Sequence, residues 1–153
     1  MRTLELRIPP PLVAAIFMFA MWLLPLFPEP ALFTQRVRIA LALLVVLVGQ
    51  GIAVAGMIAF RRAKTTINPV RANEASSLVR SGIYRFTRNP MYLGWALTLV
   101  AWTVYLGNMF ALAVLPIFVW YITRFQIQPE ERILSRLFGP EFASYTAEVR
   151  RWV

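Results

Sequence analysis

Two short stretches carry more reactive side chains than an apolar chain needs. The first runs Leu78-Val79-Arg80-Ser81-Gly82-Ile83-Tyr84-Arg85-Phe86-Thr87-Arg88-Asn89-Pro90-Met91-Tyr92-Leu93-Gly94. Asn89 before Pro90 reads as an N-cap followed by an N1 proline, so a helix should begin there. The free N–H groups at such an end favour an anionic group such as a carboxylate. Gly82 and Gly94 permit close backbone approach. Tyr84 and Tyr92 add hydroxyls beside flat apolar faces. The second stretch is Gln128-Pro129-Glu130-Glu131-Arg132. Two adjacent carboxylates near a membrane are costly if merely embedded; one of them could instead face a cationic or hydroxyl-bearing ligand. The plain alternatives are a capped helix start with snorkelling arginines and a solvated first turn, where Glu is favourable. The residues alone leave both open.

The rest of the chain narrows the chemistry. It has 153 residues, no Cys and no His, and its seven acidic residues are all Glu. Disulfides, thiolate metal sites and Ser–His or Cys–His pairs are excluded, and a carboxylate-rich metal centre is disfavoured. An organic cofactor, or none, is expected, with no metal. The chain is 59% hydrophobic with a net charge of +9 and a mean hydropathy of +0.61. Soluble domains are about 45–50% apolar, so the bilayer is the expected solvent. The positive charge then points to membrane lipids and topology rather than to nucleic acid.

The elements that must position these residues follow. The expected fold is an all-α integral membrane protein, one domain over 1–153, with about four transmembrane helices at 12–27, 37–60, 91–106 and 109–125. Pro9-Pro10-Pro11 suits a first helical turn and interrupts any signal-peptide pattern, so the first span is expected to be retained. A turn is expected at Pro28-Glu29-Pro30. Gly49, Gly51 and Gly56 in the second span read as close-packing positions, and Gln50 as an interhelical hydrogen-bond donor. Gly107-Asn108 makes a tight hairpin turn. The amphipathic tail, 126–153, is expected to split at Gly139-Pro140 into two short helices. Trp95, Trp102, Trp120, Tyr105 and Tyr121 read as interface anchors.

Arg61, Arg62, Lys64, Arg71, Arg80, Arg85 and Arg88 lie in the 61–90 loop. Arg124, Arg132, Arg136, Arg150 and Arg151 lie at the last helix end and tail, and Arg2 and Arg7 at the N-terminus. Only Arg36 and Arg38 fall on the other side. Four spans place the loop, the tail and both termini in the cytoplasm.

With these pieces in order, residues 61–152 resemble the isoprenylcysteine carboxyl methyltransferase family and the related phospholipid methyltransferases. The resemblance rests on Leu78-Val79-x-x-Gly82-x-Tyr84, Arg88-Asn89-Pro90-Met91-Tyr92-Leu93-Gly94, Glu130-Glu131, and Phe138-Gly139-Pro140-Glu141-Phe142 with Tyr145 and Val149-Arg150-Arg151-Trp152. It implies a bacterial inner-membrane methyltransferase of the EC 2.1.1 class. The donor would be S-adenosyl-L-methionine and the acceptor lipophilic, with the cytoplasmic loop and amphipathic tail forming the cofactor site. It implies cofactor contacts from Ser76, Ser77, Leu78, Val79, Gly82, Tyr84, Arg88, Asn89, Pro90, Met91, Tyr92, Gly94 and Glu130. Tyr92 and Glu131 are candidate catalytic groups by position. Two departures from the eukaryotic pattern argue against a prenylcysteine carboxylate as acceptor: Asn89 stands where histidine is common, and Gln126 where an arginine binds the substrate carboxylate. The rival readings are an NADPH-dependent sterol-reductase-like enzyme and a non-enzymatic membrane scaffold. A transporter would need acidic groups at mid-depth, which the expected spans lack.

Overall fold

The computed structural model describes residues 5–24, 33–63 and 77–153. Arg2, the Pro28-Glu29-Pro30 turn, Lys64, Arg71 and Ser76 lie outside these residues. The described residues are all helical or irregular, with no strand among them. The helices are α1 (Pro10–Trp22), α2 (Gln35–Arg62), α3 (Pro90–Leu106), α4 (Leu115–Ile122) and α5 (Gln128–Glu148). Short 3-10 turns at Gly82–Arg85 and Met109–Val114 precede α3 and α4.

Two continuous helical runs are long and apolar enough to cross a bilayer: Gln35–Arg62, and Met109–Glu148 through its apolar first half. α1 and α3, of 13 and 17 residues, rise about 20 and 26 Å against a hydrocarbon core of about 30 Å. The outer surface is apolar. Leu43, Leu44 and Leu47 on α2 are each more than half exposed, as are Ile16, Phe19 and Trp22 on α1. Water would penalise such a surface, whereas acyl chains solvate it.

The interior is built on α2 and α3, which run antiparallel. Arg38 Nη1 donates to the carbonyl of Tyr105 at one end, Gln50 Nε2 donates to Thr98 Oγ1 at 2.9 Å in the middle, and Gly56 meets Pro90 at the other. The expected roles of Gln50, Gly49 and Gly56 therefore hold, whereas Gly51, expected to pack closely too, faces open space, with nothing within 4 Å of a Cβ there. Gly94 joins Gly49 and Gly56: a Cβ there would come within 2.6 Å of the Gly49 carbonyl oxygen and 2.8 Å of Ala53 Cβ. Small residues let two backbones approach where lipid offers no hydrophobic drive for association. α1 and α4 close the far side of α3, with Val13, Ala14, Met21, Leu99, Phe118 and Ile122 forming the core between them. Gly107, at φ +68, ends α3 in the left-handed conformation that glycine adopts freely.

The fourth helix corrects one expectation. It does not stop near Phe125 but runs through a π turn, Thr123–Ile127, directly into α5. A π turn leaves a backbone carbonyl without its usual partner. Here Leu6 N donates to the Phe125 carbonyl at 3.0 Å, and Gln126 Nε2 donates to that of Ile8 at 2.8 Å. The expected break at Gly139-Pro140 is present: Gly139 has φ 46 and ψ −119, and the helix folds back there.

The α2–α3 contact predicts a contrast between glycines. Gly94→Ala should cost about 1–3 kcal/mol through overpacking, read as a lower thermal midpoint in detergent. Gly51→Ala, whose Cβ would meet nothing within 4 Å, should leave the midpoint unchanged or slightly higher.

Candidate active site

The two reactive stretches meet. The 3-10 turn Gly82–Arg85 brings Tyr84 under the end of α2, where its ring packs edge-on against Phe60, with centroids 5.3 Å apart. The chain then enters α3 at Asn89-Pro90. Asn89 holds the N-cap position, but its side chain does not cap the helix. Instead Nδ2 donates to the Arg151 carbonyl at 2.9 Å, while Thr87 Oγ1 accepts from Asn89 N at 3.2 Å. The expected cap is thus a tether to the tail.

The tail is held at several more points. Arg88 N donates to the Arg150 carbonyl at 3.1 Å. Tyr145 Oη donates to the Tyr84 carbonyl at 2.8 Å. Arg151 grips Glu131 in a two-pronged pair at 3.0 and 2.8 Å, and Arg88 approaches the same carboxylate at 3.3 Å. Planar forks of this kind fix orientation as well as charge. Arg80 and Glu148 form a more exposed pair at 3.0 Å.

Together these elements enclose a cavity of about 350 Å³. Its polar lining includes Gln50, Ser77, Tyr84, Arg88, Asn89, Tyr92, Glu130 and Glu131. Its apolar wall includes Pro10, Pro11, Met57, Phe60, Met91 and Trp95, with Leu78, Val79 and Phe142 from the loop and tail. Of the residues singled out from sequence, Gly82, Pro90 and Gly94 do not line it. Gly82 starts the 3-10 turn, Pro90 packs on Gly56, and Gly94 on Gly49. They position the wall.

Glu130 and Glu131 differ sharply despite being neighbours. Glu131 is neutralised by its arginines. Glu130 instead accepts a 2.5 Å hydrogen bond from Tyr92 Oη and has no ion pair among the described residues. Burial pushes its carboxyl up to about 7; the Tyr92 hydrogen bond pulls the other way, and the charge of Glu131 adds to the rise. Burial also raises the Tyr84 hydroxyl well above its ordinary value, helped by Tyr145 and Glu130. Burial raises Tyr145 to about 12, against the pull of Arg88 and Arg80. Those two phenols stay protonated at neutral pH, whereas Glu130 titrates there. A buried carboxyl raised in this way, beside aromatic rings in a cavity, can attract a cation or accept a proton.

Sequence reasoning missed several parts of this wall. Phe142 and Tyr145 belong to the stretch that carries the family resemblance but were given no site role; with Val149, just past α5, they pack as one cluster. Met57 and Phe60 carry no signal beyond apolarity, and Trp95, expected as an interface anchor, lines the cavity. Pro10 and Pro11 reach the cavity because the N-terminal segment is anchored across the π turn, with Glu5 bridging Arg124 and Arg132. No local pattern announces that.

The sequence profile described as phospholipid methyltransferase matches residues 37–141. An uncharacterised protein of Haemophilus influenzae is 46% identical over 63 residues, 41% of this chain and all of that protein. Protein-S-isoprenylcysteine O-methyltransferase A of Arabidopsis thaliana is 30% identical over 107 residues, 70% of this chain and 54% of the plant protein. The protein-S-isoprenylcysteine O-methyltransferase of Mus musculus is 33% identical over 113 residues, 72% and 39% of the two chains. The chain thus spans about half the length, or less, of these curated methyltransferases. No solved structure matches it.

The contrast between the two glutamates is testable by stability. A carboxyl whose folded value exceeds its unfolded value holds its proton more tightly when folded. Stability should therefore fall as pH rises from about 4.5 to about 7 and level off above. Glu130→Gln should abolish that slope. Glu131→Ala should shrink the slope without abolishing it, since burial is its largest cause, and lower stability throughout by about 1–3 kcal/mol, between a surface and a buried pair. Thermal melts across this pH range check both.

Proposed function

The chain belongs to the phospholipid methyltransferase family, and we propose that it transfers a methyl group from S-adenosyl-L-methionine to a lipophilic acceptor within the membrane. The observation that carries this reading is the cavity itself, whose lining joins the buried Glu130 carboxyl and other polar groups to apolar and aromatic side chains. The names of the Arabidopsis and mouse relatives supply the reaction type and favour it over reductase or scaffold readings.

The residues suit such a donor. Glu130 offers negative charge to a sulfonium, and Tyr84, Tyr92 and Trp95 offer ring faces, which attract cations. Arg88, whose Nε is buried without a hydrogen-bond partner, can take the amino-acid carboxylate. Ser77, Leu78, Val79 and Asn89 line the same cavity and suit the nucleoside. The donor brings an activated methyl group on sulfur, so the protein mainly orients and desolvates. Tyr92 holds Glu130 in place through its hydroxyl. Met57, Phe60, Pro10 and Pro11 exclude water from the side where a lipophilic acceptor would lie. Where the acceptor must lose a proton, Glu130 is better poised than Glu131 to accept it, because both oxygens of Glu131 are engaged by Arg151.

In the membrane, α1 and α3 would complete a four-span arrangement with α2 and the α4–α5 run. The 61–90 loop and both termini would face the cytoplasm of a bacterial inner membrane. The Glu5 bridge to Arg124 and Arg132 supports placing the N-terminal segment and the tail on one side. Reporter fusions at the loop and tail should give cytoplasmic signals; an external signal at either would overturn this topology.

Calorimetry on the purified protein tests the donor. S-adenosylmethionine and its demethylated product should both bind, and no heat at millimolar ligand would sink the proposal. Affinity for the sulfonium form should rise as pH passes about 7 and Glu130 ionises. Glu130→Gln should weaken binding of that form about tenfold, the scale of one charge-assisted contact, and flatten the pH dependence.

A further inference from the structure

A second recess lies behind the first. Gln128, Arg132, Ser135 and Arg136 recur at three- and four-residue spacing, so they share one face of the first half of α5. The fold-back at Gly139 returns Phe142 and Thr146 to that face. Arg88 and Arg151 complete an open groove. Four guanidiniums line it with one carboxylate, Glu131, while Glu5, outside the lining, pairs with Arg132; four cations thus face two carboxylates. Glu131 is already committed to Arg151 and Arg88. Arg136 has no ion pair or hydrogen bond among the described residues, unlike Arg88, Arg132 and Arg151. Glu131, Arg88 and Phe142 line both recesses and so form the partition between them.

We propose that this groove is an anion site that takes the phosphate group of a phosphate ester, separate from the methyl-donor cavity. Surplus guanidiniums on converging elements are the chemistry that recognises phosphate. The hydroxyls of Ser135 and Thr146 and the amide of Gln128 add neutral hydrogen-bonding groups around it. Topology alone needs positive charge on this side, but not four arginines converging on one recess. Leu137, 45% exposed beside Arg136, would let an anionic lipid present the phosphate from the leaflet. A soluble phosphate ester offers the same group.

The test uses the full chain in phosphatidylcholine nanodiscs at matched ionic strength. Inorganic phosphate, or phosphatidylglycerol built into the disc, should raise the thermal midpoint by linkage, while chloride should not. A rise with phosphatidylglycerol alone assigns a lipid source; a rise with inorganic phosphate assigns a soluble one. No rise with either overturns the proposal. Arg136→Gln, at an exposed position that should not disturb folding, should weaken phosphate binding about tenfold. Arg85→Gln removes the same charge outside the groove and should leave binding intact. Equal loss in both variants would mean general charge attraction and would overturn the site. So would displacement of phosphate by the demethylated donor, because the groove would then belong to the donor cavity. If phosphate binds but the donor does not, the groove stands and the methyltransferase reading fails.

Discussion

The tether between the start of α3 and the end of the chain is the constraint on which the rest depends. Arg88 N and Asn89 Nδ2 are both spent on carbonyls of Arg150 and Arg151, and the Arg151 side chain returns to Glu131. One short segment thus joins α3, α5 and the terminal residues. Without it, the two halves of α5 have little reason to fold back over the α3 end. The cavity would open on that side, and Glu130 would be solvated. The raised carboxyl of Glu130 is therefore a consequence of the tether: desolvation is its largest cause, and the tail contributes to the enclosure.

The bilayer imposes the complementary constraint. In water the exposed leucines of α2 would demand a partner, whereas in lipid they need none. Helix association must then come from close packing and from hydrogen bonds. Gly49, Gly94 and the Gly56–Pro90 contact supply the first, and Gln50–Thr98 supplies the second. α2 and α3 touch backbone to backbone along their middle, and the space beside them near Met57 and Phe60 is part of the cavity rather than filled by their own side chains.

What the sequence makes legible follows from which forces are local. The start of α3, the stop at Gly107 and the break at Gly139 depend on proline and glycine geometry, so they can be read directly. The convergence of Tyr84, Asn89, Tyr92 and Glu130 could be anticipated only through a family resemblance, because nothing in their spacing specifies a distance across the fold. The π turn at Thr123–Ile127 was not legible at all. Its stability comes from Leu6 and the Ile8 carbonyl, more than a hundred residues earlier in the chain. The same non-local clasp carries Pro10 and Pro11 to the cavity. Even Asn89 illustrates the limit: its position was readable, but its hydrogen-bond partner was not.

The family match and the cavity divide in an informative way. Residues 37–141 include the carboxylate pair, α2, α3 and the loop between them. The match stops short of Tyr145 and Arg151 and excludes the proline wall. On the proposed reading, the part that would hold a common donor falls inside the shared region. Pro10 and Pro11, which would touch the acceptor, fall outside it. That division is physically sensible. A sulfonium donor makes the same demands wherever it is used, so its carboxylate and aromatic surroundings can be kept. A lipophilic acceptor is selected by the shape of an apolar wall, which tolerates substitution so long as volume is matched. The acceptor's identity should therefore be sought first in the N-terminal segment rather than in the motif that reveals the family.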